Sequence, residues 1–167
     1  MMLEQSLAYF ITFRTYGTWL HGDDRGSMDR HHNAWDQPNL PPDPERRNIA
    51  ASRLETTPIT LTSAERNTLD DAVRSHCLHQ GWQLWAVNVR TEHVHVVVSS
   101  SETPERVMNS LKSYATRALR EVDPQGRTTP VWSRHGSTRY LWTDDDLASA
   151  CVYVMEGQTD RREPTAG

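Results

Sequence analysis

The stretch His93-Val94-His95-Val96-Val97-Val98 decides how this chain is to be read. In an extended strand successive side chains alternate between faces, so His93 and His95 project together from one side while Val94 and Val96 face the other. The run stays apolar through Val98, which suits a strand in the middle of a sheet. Two imidazoles held side by side on a rigid strand are placed to share one divalent metal. A chain with 8 His can produce such a triplet by chance, and structural histidines outnumber ligands, so the surrounding sequence has to carry the argument.

On the N-terminal side, Trp82–Arg90 is a strand that turns through Thr91-Glu92 into the valine run, giving a hairpin. Before it, Thr62 or Ser63 caps a helix with Leu69, Val73 and Cys77 on its inner face; His76 and His79 suit its dipole near the C-terminal end, and Gly81 stops it. Ser6–Thr15 alternates as a first strand. Tyr16–Gly26 is a glycine-punctuated loop. Ser27–Pro58, with Pro38, Pro41, Pro42, Pro44 and Pro58, is expected to be a long ordered insertion. On the C-terminal side, Pro104 opens a helix to about Glu121, ended by Asp123-Pro124-Gln125-Gly126. Val131–Trp142 is expected to hold a short loop, His135–Arg139, and a last strand around Arg139–Trp142. Asp144–Asp146 starts a third helix to about Glu156. This order predicts an α+β, ferredoxin-like βαββαβ sandwich with an antiparallel sheet, a long insertion after the first strand and an extra C-terminal helix. The expected organisation is one domain over 1–158, containing the 27–58 insertion, and a flexible tail over 159–167. Ser6–Thr15 and His93–Ser100 would be its central strands.

At 167 residues, 36% hydrophobic and 24% charged, the chain can bury a real core. No segment is long and apolar enough to span a membrane, and Met1–Phe10 lacks a basic start followed by an apolar block, so no membrane partner and a cytoplasmic location are expected. Cys77 and Cys151 stand far apart, which disfavours a disulfide framework or a zinc knuckle. The net charge is −4, yet Arg106, Lys112, Arg117, Arg120, Arg127, Arg134 and Arg139 face only Glu105, Glu121 and Asp123 between Pro104 and Tyr140. That segment offers a local basic surface.

On the helix after Pro104, Val107, Leu111, Ala115, Ala118 and Val122 form the expected core stripe. Tyr114 lies beside it, about 60° from Leu111, in line with Ser110, Arg117 and Glu121. Packing is the ordinary role for such a tyrosine. Beside a metal held by the two histidines, however, its phenol oxygen could attack phosphorus while Arg117 holds a phosphate oxygen. The segment Arg134-His135-Gly136-Ser137-Thr138-Arg139 is either a phosphate-binding loop or a surface turn. Trp82, Trp85, Trp132 and Trp142 are either core or platforms for unpaired bases.

His93-Val94-His95, followed about twenty residues later by Leu111-Lys112-Ser113-Tyr114, resembles the single-tyrosine HUH transposases. More narrowly, it is similar to the IS200-like REP-associated tyrosine transposases. Tyr16-Gly17-Thr18-Trp19-Leu20 and Gly136-Ser137-Thr138-Arg139-Tyr140-Leu141-Trp142 resemble segments recurring in that group. The resemblance implies a nuclease and strand transferase acting on single-stranded or hairpin DNA, as a monomer or homodimer. His93 and His95 would bind Mg²⁺ or Mn²⁺, and Tyr114 would form a 5′-phosphotyrosine link, leaving a free 3′-hydroxyl able to rejoin strands. Lys112, Arg117, Arg134, His135, Ser137, Thr138 and Arg139 are the expected DNA contacts. The family's further ligand, one turn beyond the tyrosine, falls here on Ala118, which cannot ligate. Glu121 is the first substitute expected, ahead of Glu92, Asp23 and Asp24. A DNA-hairpin-binding regulator without catalysis is the alternative that this departure leaves open. A metal-dependent hydrolase of small phosphoesters is a third, resting on the two histidines alone.

Overall fold

The computed structural model describes residues 5–17, 59–123 and 130–156. The expected insertion over 27–58, Asp23, Asp24 and the tail over 159–167 lie outside the described residues. The elements are β1 (Ala8–Thr15), α1 (Ser63–Gln80), β2 (Gln83–Val89), β3 (His93–Ser99), α2 (Pro104–Val122), β4 (Trp132–Leu141) and α3 (Asp144–Met155). Four strands make one antiparallel sheet in the order β2-β3-β1-β4. This is the ferredoxin-like arrangement, with β1 and β3 central and α3 added. Among the described residues no helix is long and apolar enough to cross a membrane.

Local chemistry sets the helix ends. Thr62 and Glu65 form a reciprocal capping box at the start of α1, and Gly81, at φ 74°, closes it in the left-handed region that glycine enters without a Cβ clash. Thr103 caps α2 and Thr143 caps α3, each accepting a backbone N–H from three residues on.

The strand alternation sorts the sheet into two unlike faces. Val94, Val96 and Val98, each fully buried, join Ile11, Phe13 and Val87 against Leu69 and Val73 of α1 and Val107, Leu111 and Ala115 of α2. Burying each such side chain stabilises the fold by roughly 1.5–3 kcal/mol. On the opposite face Ala8, Phe10, Ala86, Val97 and Leu141 pack against Ala150 and Val154 of α3, a smaller cluster. Asn88 Nδ2 donates to the Val154 carbonyl at 2.8 Å and pins the end of α3 to β2.

Two sequence expectations are corrected. The strand β4 is continuous from Trp132 to Leu141, with no loop at His135–Arg139. Gly136 permits this, because a Cβ there would lie 2.5 Å from the Thr12 carbonyl and 2.6 Å from Met108 Sδ; the glycine serves close packing rather than a turn. The buried stripe of α2 is Val107, Met108, Leu111, Lys112, Ala115 and Leu119, whereas Val122 is exposed. The helix is thus rotated from the expected stripe, towards Lys112.

Candidate functional site

Register across the sheet places Asn88, His95, Thr12 and Ser137 in one transverse row, one residue from each strand. His93 and His95 share the α3 face, with ring centroids 4.5 Å apart. His95 is buried, stacks on Phe10 at 5.5 Å, and its Nδ1 lies 2.7 Å from Thr12 Oγ1. His93 is partly exposed, so the pair opens to solvent at its end of the strand. Cross-strand pairing sets Arg14 opposite His93 and Arg139 opposite Phe10. Ser137 Oγ is buried with no hydrogen-bond partner among the described residues. An apolar face interrupted by two imidazoles, two hydroxyls and two guanidinium-bearing positions is suited to a ligand with phosphate oxygens.

The expected tyrosine is elsewhere. Tyr114 stacks on His76 of α1, with ring centroids at 4.5 Å, in the helix layer that covers the valine face. The sheet lies between it and the histidine pair. The physical reason is the alternation itself: because Val94, Val96 and Val98 face α2, His93 and His95 must face away from it. Glu121 and Arg117 share the fate of their helix. With Ser113, Thr116 and Arg120 they line a surface groove on α2. No third His, Cys, Asp or Glu completes a cluster with the histidines among the described residues, Glu92 included.

The expected DNA contacts divide. Ser137 and Arg139 reach the histidine face. Thr138 lies on the other, donating to Glu105 Oε1 at 3.2 Å. Lys112 is buried, its ammonium donating to the carbonyls of Ser133 at 3.0 Å and His135 at 3.4 Å; burial lowers its pKa, and its role is to tie α2 to β4. Arg134 and His135 are exposed on β4. His76 is no surface helix-end charge. It is buried between α1 and α2, with Nε2 2.7 Å from Ser110 Oγ. Trp132 is core, donating to Thr116 Oγ1 at 3.0 Å, and Trp82 sits edge-on against His76, whereas Trp85 and Trp142 are exposed.

A residue that the sequence analysis passed over stands where Tyr114 was expected. Tyr153 of α3 has its ring 5.9 Å from His95 and 5.9 Å from Phe10, and is 42% exposed. Leu147, Ala150, Cys151 and Val154 turn the apolar side of α3 to the sheet, and this brings Tyr153 to the edge of the histidine pair. The signal was available: an apolar third helix in a fold whose first two helices share one face has only the other face to cover.

Comparison with known proteins agrees with this architecture. Residues 57–150 match the family model described as "Transposase IS200 like". More than half of the chain is matched, and the chain belongs to the IS200-like transposase family. Its class of function is accordingly DNA processing of the transposase type. The matched span includes His93 and His95 and stops before Tyr153. No curated protein matches the sequence. Among solved structures, a candidate transposase from Deinococcus radiodurans R1 is similar over 92% of both chains, at 14% identity and a TM-score of 0.51. A REP-associated tyrosine transposase bound to a REP hairpin is similar over 92% of this chain and 67% of that one, at 11% identity and a TM-score of 0.52. At such identities the likeness is one of fold.

Proposed function

We propose that this protein cuts and rejoins single-stranded or hairpin DNA through a covalent link to Tyr153, with His93 and His95 holding Mg²⁺ or Mn²⁺. The observation that carries the reading is the meeting of an exposed phenol with two same-face imidazoles beside a buried, unpartnered hydroxyl. The two imidazoles would supply two neutral nitrogen donors to such an ion, leaving its other positions to the oxygens of water and phosphate. A bound cation would polarise the scissile phosphate and offset the charge that grows on it.

The chain's own residues account for the remaining work. Phe10 and Thr12 hold the His95 ring, leaving Tyr153 beside it and partly open to solvent. Ser137 and Arg139 offer a hydroxyl and a guanidinium to non-bridging phosphate oxygens. As the Tyr153 Oη–P bond forms, the P–O3′ bond breaks. The phenol proton leaves to water and the 3′ oxygen takes up a proton, giving a 5′-phosphotyrosine link and a 3′-hydroxyl. Attack by a 3′-hydroxyl reverses these changes and rejoins a strand.

Incubation with end-labelled single-stranded and hairpin oligonucleotides and Mn²⁺ should give a denaturant-resistant adduct that Tyr153→Phe lacks. An undiminished adduct in that variant rejects the assignment. The lack of a third acidic or imidazole ligand among the described residues favours one other reading, a DNA-binding regulator that does not cut. Hairpin binding indifferent to chelator, with no adduct, would be its signature.

A further inference from the structure

We propose that Thr12 is the positioning residue that selects the His95 tautomer: its hydroxyl accepts the Nδ1 proton, so that Nε2 carries the lone pair. The proposal rests on the reading of His93 and His95 as a cation-binding pair, and adds what that reading requires of a third residue. A neutral imidazole bears one proton, and the protonated nitrogen cannot ligate. Nδ1 is the nitrogen that Thr12 engages, so ligation by His95 would fall to Nε2. To serve there, His95 must keep its proton on Nδ1, and a buried N–H needs an acceptor. Thr12 Oγ1 stands 2.7 Å from that nitrogen. Both residues are more than nine-tenths buried, at 6% and 4% exposure.

The geometry is built into the sheet. Thr12 and His95 are directly paired across the two central strands, so their Cβ atoms are held opposite one another by the β1–β3 ladder. Phe10, two residues along β1 on the same face, stacks on the ring and limits its rotation. Ring plane and proton position are thereby set from one strand. Were Thr12 to donate instead, His95 would present Nε2–H, a donor suited to a phosphate oxygen and unable to bind metal.

Two measurements separate this proposal from the cation reading on which it rests. In metal-free ¹⁵N-labelled protein, at a pH where imidazole is neutral, the ring-nitrogen resonances of His95 report the tautomer, with His95→Gln providing the assignment. The wild type should show Nδ1–H, Thr12→Ser should keep it, and Thr12→Val should mix the tautomers. In parallel, Mn²⁺ titration followed by electron paramagnetic resonance should show binding about 10–100-fold weaker in Thr12→Val and nearly restored in Thr12→Ser. An Nε2–H resonance for His95 in the wild type overturns the proposal without recourse to any Thr12 variant. Wild-type tautomer and affinity in Thr12→Val overturn it equally. A Thr12-dependent Nδ1–H tautomer in a protein that binds no Mn²⁺ would uphold the role of Thr12 and reject the cation reading.

Discussion

The two faces of β3 are made from alternate residues of one seven-residue strand, yet they do different work. Val94, Val96 and Val98 are fully buried beneath α1 and α2, in a cluster drawn from every strand and both helices. His93, His95 and Val97 look the other way, under a single short helix whose apolar contacts are fewer. The larger core fixes the strand, and the strand in turn fixes the imidazoles. The second face tolerates polar groups because they are paired, as buried His95 is with Thr12, or reach solvent, as His93 partly does. Stability and chemistry are thus separated by the pleat, and substitutions on the two faces should separate them too.

The largest effect is expected on the histidine face. His93→Ala should slow Mn²⁺-dependent adduct formation by about 10²–10³-fold, with a melting temperature close to wild type, because His93 is partly exposed. A parallel collapse of folding in that variant would break the distinction between the faces. The mirror experiment is Leu111→Ala, on α2 over the valine face. Loss of that fully buried side chain should cost about 2–5 kcal/mol of stability, read from urea unfolding, while the folded fraction keeps its Mn²⁺ affinity.

Gly136→Ala tests where the faces are joined. Its Cβ would press on the Thr12 carbonyl and on Met108 of α2. A loss of about 1–3 kcal/mol is expected. Because β1 must shift at Thr12, Mn²⁺ binding should weaken with it, which Leu111→Ala does not predict. The smallest effect is a pH dependence from His76 on the valine side. Burial first, then His79 and Arg117, lower its pKa, so the folded state prefers the neutral ring. The unfolded chain takes up a proton near its ordinary value of about 6.5, and stability therefore falls as pH drops through that value towards the lower folded one. Urea midpoints measured from pH 8 to pH 5 should decline less in His76→Gln than in the wild type.

Much of this was legible in the sequence. The element order, the central placement of β1 and β3, a helix cap at Thr62 or Ser63 and the Gly81 stop all follow from period, capping chemistry and glycine conformation. The pairing of His93 with His95 on one face follows from alternation alone. The separation of Tyr114 from the histidine pair follows from that same alternation and not from spacing along the chain: the valines commit the α2 side of β3 to core. Lys112 was read as a surface cation because charge ordinarily implies exposure, whereas two β4 carbonyls were waiting to satisfy it. Thr12 and Ser137 gained meaning only once register set them in a row with His95. No local pattern encodes a partner more than 80 residues away, as Thr12 and His95 are.

The central claim is that the nucleophile belongs to the helix covering the histidine face. Proteolysis of the trapped protein–oligonucleotide adduct, followed by mass spectrometry, identifies the residue that carries the phosphonucleotide. The account predicts Tyr153, in the peptide of α3. A modified Tyr114 would contradict it, since within one chain the sheet stands between that phenol and the paired imidazoles.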